Sequence, residues 1–184
     1  MLTMRVLGLT LDETSHAPIL LLQEETGQEL LPIWIGPLEA MAISVVLGNV
    51  SVERPLTHDL CINVLHSLKV RLGGVELVDV REGAYYANLV LLLENGETRR
   101  LDCRPSDAVA LSLRAKAPIR ASRALLQRSA AAPGSCTLAH VPVQKLVVAL
   151  HADKSAAVPL GHSVEQDRFA ELLRSLEPES KRKM

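Results

Sequence analysis

In Asp102-Cys103-Arg104-Pro105-Ser106-Asp107-Ala108-Val109-Ala110-Leu111 a strand hands over to a helix, and the class of the fold follows from that junction. Thr98 to Cys103 reads as a strand after a turn at Asn95-Gly96. Pro105 has the fixed φ suited to a first helical position, and the spacing predicts a helix from Pro105 to about Lys116, stopped by Pro118. Upstream, Val75 to Val80 and Tyr85 to Leu93 read as strands, with turns at Glu82-Gly83 and Asn95-Gly96 making antiparallel neighbours of all three. Gly73-Gly74 reads as the turn that precedes them.

Working back toward the N-terminus, Met1 to Leu11, Pro18 to Gln23 and Glu29 to Ile35 carry strand patterns. Gly36-Pro37 opens a helix to about Leu47 that Gly48-Asn49 stops. A second helix is predicted with Thr57 as N-cap and with Leu60, Val64, Leu65 and Leu68 on its apolar face. Ile119 to Ala121 reads as a last short strand. Strands, two helices, strands and a helix make an α+β domain with a mixed, largely antiparallel sheet. That domain is assigned to residues 1–126. Residues 127–184 form a C-terminal extension: a loop at Ser129 to Ser135, a strand at Val141 to Leu150 and an amphipathic helix at Ser163 to Leu176.

The 184 residues suit one main domain, and a 48% hydrophobic content is ample for its core. Twenty basic residues against 21 acidic ones leave no global charge to draw the chain onto nucleic acid or membrane, so any polyanion contact must be local, weak and salt-sensitive. No basic segment precedes an apolar run at the N-terminus, and no stretch approaches ~18 uninterrupted apolar residues, so a cytoplasmic protein without a membrane span is expected. Three widely spaced cysteines, Cys61, Cys103 and Cys136, fit free thiols rather than a disulfide framework. His58 and Cys61 stand three apart, but no paired ligands follow, so a closed zinc site is not expected and Cys61 reads as a small core residue. Met1, Met4 and Met41 read as core filler. With only four aromatic residues, base-stacking platforms are not expected either.

Chemically, Arg104 and Asp107 sit at a helix start, where unpartnered N–H groups and the helix dipole favour an anion such as phosphate. An acid in a first helical turn also stabilises a helix with no function attached. Asp102, which precedes the helix, and the arginines Arg54 and Arg104 gain nothing from a positive helix end, and they favour a site.

Four blocks carry a resemblance: Leu31-Pro32-Ile33-Trp34-Ile35-Gly36, Glu39-Ala40, Arg54-Pro55-Leu56-Thr57-His58-Asp59-Leu60, and Asp102 to Leu111. In this order they resemble the bifunctional nuclease domain family, formerly a domain of unknown function, over about Met1 to Leu126. The resemblance implies an α+β homodimer that cleaves DNA and RNA. Carried over by position, it makes Asp102, Asp107, His58, Asp59 and Glu39 the catalytic candidates, and Arg54, Arg104, Thr57 and Ser106 the substrate-binding ones. On this reading Asp102 and Asp107 hold Mg²⁺ or Mn²⁺ that activates water, the two arginines clamp phosphate, and His58 transfers protons. The alternative is a non-catalytic homodimeric structural or regulatory module, in which Asp102, Asp107, Arg54 and Arg104 form a buried salt-bridge network. The two differ in depth, since a nuclease needs these charges to line an open groove.

Overall fold

The computed structural model describes residues 1–12 and 15–131. Glu82 and Gly83 both have positive φ, 51° and 81°, the type I′ geometry that lets strand β4 (Arg71–Arg81) reverse tightly into β5 (Ala84–Leu92). β5 pairs antiparallel with β6 (Thr98–Cys103) across a loop closed by the Leu93 N–H donating to the Glu97 carbonyl at 2.9 Å. β4 starts earlier than the sequence predicts. Gly73 and Gly74 are not a turn but part of the strand, at a bulge where a Cβ on Gly73 would overlap the Leu92 side chain.

The first half of the sheet is β1 (Leu2–Leu11), β2 (Pro18–Glu24) and β3 (Leu30–Trp34), each antiparallel to the next. Three residues join the halves. β7 (Ile119–Ala121) runs antiparallel to β1 and parallel to β4, giving the order β3-β2-β1-β7-β4-β5-β6. The expected α+β class, with a mixed and largely antiparallel sheet, is therefore the fold observed.

Helix α3 (Pro105–Ala115) lies against β4 and β5 and buries Ala108, Val109, Ala110 and Leu111 in a core shared with Leu20, Leu22, Leu31, Ile33, Val75 and Leu77. Helices α1 (Pro37–Leu47) and α2 (Thr57–Ser67) both pack on α3. Their exposed faces correct the sequence reading. Leu60, Val64 and Leu68 are 57%, 48% and 67% exposed, whereas Ile62 is the buried residue of α2 and Leu65 only partly covered. Cys61 is exposed rather than core, and so are Met1 and Met41, while Met4 is buried. The N-cap of α2 is Leu56 rather than Thr57, and its N–H donates to the Asp59 carboxylate at 2.8 Å.

Helix α4 (Arg123–Ala131) packs on β4. It occupies part of the expected loop and continues through residue 126, where the sequence places the domain boundary. Its start is capped by the Ser122 hydroxyl, which accepts the Leu125 N–H at 3.0 Å, and Leu125 and Leu126 are buried. The expected strand at Val141 to Leu150 and helix at Ser163 to Leu176 lie outside the described residues. Among the described residues no helix is long and apolar enough to cross a membrane.

Candidate functional site

Each of the first three helices begins with an acid at its third position: Glu39 after the N-cap Gly36, Asp59 after Leu56, and Asp107 after Arg104. Such a placement opposes the helix dipole favourably. Here it also draws helix starts together. Arg104 donates Nε to Asp107 Oδ2 at 2.7 Å, Nη2 to Asp107 Oδ1 at 3.1 Å, and Nη1 to Glu39 Oε1 at 2.7 Å. His58 Nε2 stands 3.2 Å from Asp107 Oδ1, so the N-termini of α1, α2 and α3 meet at one cluster. Gly36 makes room for it, since a Cβ there would overlap the Glu39 carboxylate.

The cluster is not sealed. The Arg104 side chain is 66% exposed, while those of Glu39, Asp107 and His58 are mostly covered. Burial pushes the Asp107 carboxyl up, but the hydrogen bonds from Arg104 and His58 outweigh it and hold the group below its ordinary value. Three of the five guanidinium N–H groups of Arg104 are donated to carboxylates, which leaves two to meet an incoming anion.

The remaining candidates lie elsewhere. Asp59 faces away from the cluster and takes Nε of Arg114 at 2.6 Å, where burial raises its carboxyl less than the Leu56 N–H and Arg114 lower it. Ser106 is buried under the start of α3, and Thr57 is exposed at the start of α2. Arg54 and Asp102 are exposed and, among the described residues, make no side-chain hydrogen bond or ion pair, so neither joins the ion-pair network. The network expected from Asp102, Asp107, Arg54 and Arg104 is thus replaced by Glu39, His58, Arg104 and Asp107, and it is open rather than buried.

Sequence reasoning missed Arg114. Its side chain is only 6% exposed, and besides Asp59 it donates Nη1 to the carbonyls of Ala42 and Ala110, each at 3.0 Å. An arginine in the last turn of a helix looks ordinary in sequence because it suits the dipole. The one available signal was its place in an otherwise apolar helix.

Among the described residues no three His, Cys, Asp or Glu side chains stand together as a cation cage. Both oxygens of Asp107 are already held by Arg104 and His58. Asp102 and Asp107 as arranged therefore do not fit a ready-made divalent-ion site. Cys103, between the two acids in sequence, is partly buried, and burial, then Asp107 and Asp102, push its thiol up to about 11, which disfavours the thiolate.

The bifunctional nuclease domain, as a family model, matches residues 20–133. An uncharacterized protein of Mycobacterium tuberculosis is 33% identical over 175 residues, covering 95% of this chain and 94% of that protein. Bifunctional nuclease 1 of Oryza sativa subsp. japonica is 34% identical over 125 residues, 65% of this chain and 36% of the rice protein. Bifunctional nuclease 2 of Arabidopsis thaliana is 26% identical over 112 residues, 60% of this chain and 34% of the plant protein. The matched residues take in all three converging helix starts and strands β3 to β7, and this chain belongs to the bifunctional nuclease domain family.

Proposed function

We propose that this protein hydrolyses phosphodiester bonds in DNA and RNA, as a cytoplasmic homodimer, at the cluster of Glu39, His58, Arg104 and Asp107. One observation carries the reading: three helix N-termini meet around a guanidinium that two carboxylates pin on one side and that is 66% exposed on the other. A phosphodiester is received by the two free N–H groups of Arg104 and by the positive ends of the helices, with exposed Arg54 and Thr57 as further contacts. Glu39 and Asp107 act as positioning residues for Arg104. Buried Ser106 packs the helix start and makes no substrate contact, and Asp59 serves to fix α2 through Arg114.

An imidazole that donates its Nε2 proton to the Asp107 carboxylate leaves Nδ1 to take the proton of the attacking water or return one to the leaving oxygen. Arg104 opposes the negative charge that gathers on the phosphorus oxygens in the transition state. Asp102 is exposed and unpaired among the described residues, so it would be a single carboxylate contact, not a cage, for Mg²⁺ or Mn²⁺ brought in with the phosphate. None of the steps above depends on that ion.

The test is cleavage of labelled single-stranded and duplex DNA and RNA by the full chain, with Mg²⁺, Mn²⁺ or chelator. The wild type is compared with His58→Gln, Arg104→Gln and Asp102→Asn proteins of matched circular dichroism. Loss of about 10²–10⁴-fold is expected for His58→Gln and about 10²–10³-fold for Arg104→Gln. Asp102→Asn should alter only the response to metal and chelator. Equal cleavage by all four proteins, or none by any, would overturn the reading in favour of a structural or regulatory dimer whose ion pairs only lock the helices.

A further inference from the structure

Strand β2 is buried on both faces. Its Leu20 and Leu22 share the core with Ile43, Ile62, Val109 and Leu125, one residue from each of the four described helices, so those helices all cover the same side of the sheet. Alternation sends Ile19 and Leu21 to the opposite side. Neither belongs to that core, yet they are 0% and 2% exposed. Their neighbours in register are Thr10 and Trp34 for Ile19, and Gly8 and Pro32 for Leu21. These stand in the same sheet and flank the two side chains rather than lie over them. A strand with one face in water alternates apolar and polar residues, whereas one covered on both sides reads as a continuous apolar run, and Ile19-Leu20-Leu21-Leu22 is such a run.

The cover is local. On the same outer face Thr3 and Arg5 of β1 are exposed and Trp34 of β3 is 39% exposed, while Gly8 is buried with Ile19 and Leu21. Apart from the polar pair Glu13-Thr14, the chain left to supply it is residues 132–184. Reach and composition choose among these. The stretch from Ala131, the last residue of α4, to Val141 extends to at most ~33 Å. Between β4, on which α4 packs, and β2 lie three strand spacings of ~4.8 Å each, so length remains to turn round the sheet. Residues 141–150 carry Val141, Val143, Leu146, Val147, Val148 and Leu150, with Lys145 as their one charge, and burying such a run against Ile19 and Leu21 removes both from water. We infer that residues 141–150 pack over Ile19 and Leu21 on the outer face of the sheet. Part of the C-terminal extension is then a layer of the domain, on the side away from the helices and their Arg104 cluster, and the inference stands apart from the nuclease reading.

The experiment is nuclear Overhauser spectroscopy on the full-length wild-type protein, labelled at the methyl groups of Ile, Leu and Val. Cross-peaks are expected from the Ile19 and Leu21 methyls to those of Val143, Leu146, Val147 or Val148. In a mixture of labelled and unlabelled chains, isotope filtering should show that these contacts lie within one chain. A soluble paramagnetic chelate should broaden the Ile19 and Leu21 signals no more than that of core Val109, and several-fold less than those of exposed Leu60 and Val64. Cross-peaks only to Val164, Leu172, Leu173 or Leu176 would give the place to the predicted amphipathic helix and overturn the inference. Cross-peaks found only between chains would give it to a second copy and overturn it equally. So would the lack of any cross-peak to a residue beyond Ala131.

Discussion

Asp107 receives two partners at once, and both favour its charged form, so its carboxyl titrates below the ordinary Asp value of 3.8 in the folded protein. In the unfolded chain it titrates near that value, so between the two the unfolded state binds more protons and stability rises with pH. The contribution is complete above the unfolded value and is lost as pH falls through the folded one. Asp107→Asn should therefore flatten the fall in Tm between about pH 5 and pH 3 without removing it, since Asp59, Glu76, Asp79 and Glu97 are lowered as well. Thermal melts across that range check this, and identical slopes for the two proteins would sink it. At this scale much was legible in sequence. The three acids could be placed because Gly36-Pro37, Thr57 and Pro105 mark helix starts to within a residue. Their partners could not, because Arg104 reaching Glu39 spans 65 residues and local pattern carries no information on which distant helix ends meet.

The first three helices end by one device. Asn49, Lys69 and Lys116 are left-handed, at φ 50°, 55° and 52°, and the next residue in each case donates its N–H back five positions, Val50 to Val45, Val70 to Leu65 and Ala117 to Ser112. Asn tolerates that conformation, but a lysine is strained in it. Lys116→Gly should stabilise the protein by about 0.5–1 kcal/mol, the relief of strain outweighing glycine's greater chain entropy. Its Tm should rise by a few degrees in calorimetry while Lys116→Ala shows no gain, and a lower Tm for the glycine variant would refute the argument. Element types were readable because the turns are chemically marked, at Glu82-Gly83 and Asn95-Gly96 above all. Faces were not. The apolar spacing of Leu60, Val64 and Leu68 describes a stripe correctly, but which stripe meets α3 depends on packing, and Ile62 took the core. The start of α4 escaped for a related reason: residues 122–128 carry no marked pattern and the loop reads at Ser129 to Ser135, whereas Leu125 and Leu126 find a sheet to cover and hold a helix across that boundary.

At the scale of the whole molecule, the stripe left outside calls for a partner. Leu60, Val64 and the C-cap Leu68 follow one another at helical spacing along α2, and Leu38 and Met41 do the same on α1, all of them about half exposed or more. Burying such a stripe against its own copy is the self-complementary solution that two-fold dimers use. A nearly neutral chain, with a formal net charge of −1, offers little repulsion against it. The full-length protein should therefore run at twice its monomer mass in light scattering at about 10 μM, a concentration well above the dissociation constants of stable interfaces. Val64→Glu and Leu68→Glu together should give a monomer, because two unpaired charges cannot be desolvated within an apolar contact. In a monomer both positions are exposed, so the folded subunit should lose little stability, within about ±0.5 kcal/mol per site. The Arg104 cluster is built wholly from one chain, so the monomeric variant should keep its ion pairs and whatever cleavage they support. A wild-type monomer, or a dimer untouched by both substitutions, would take the α2 stripe out of the assembly.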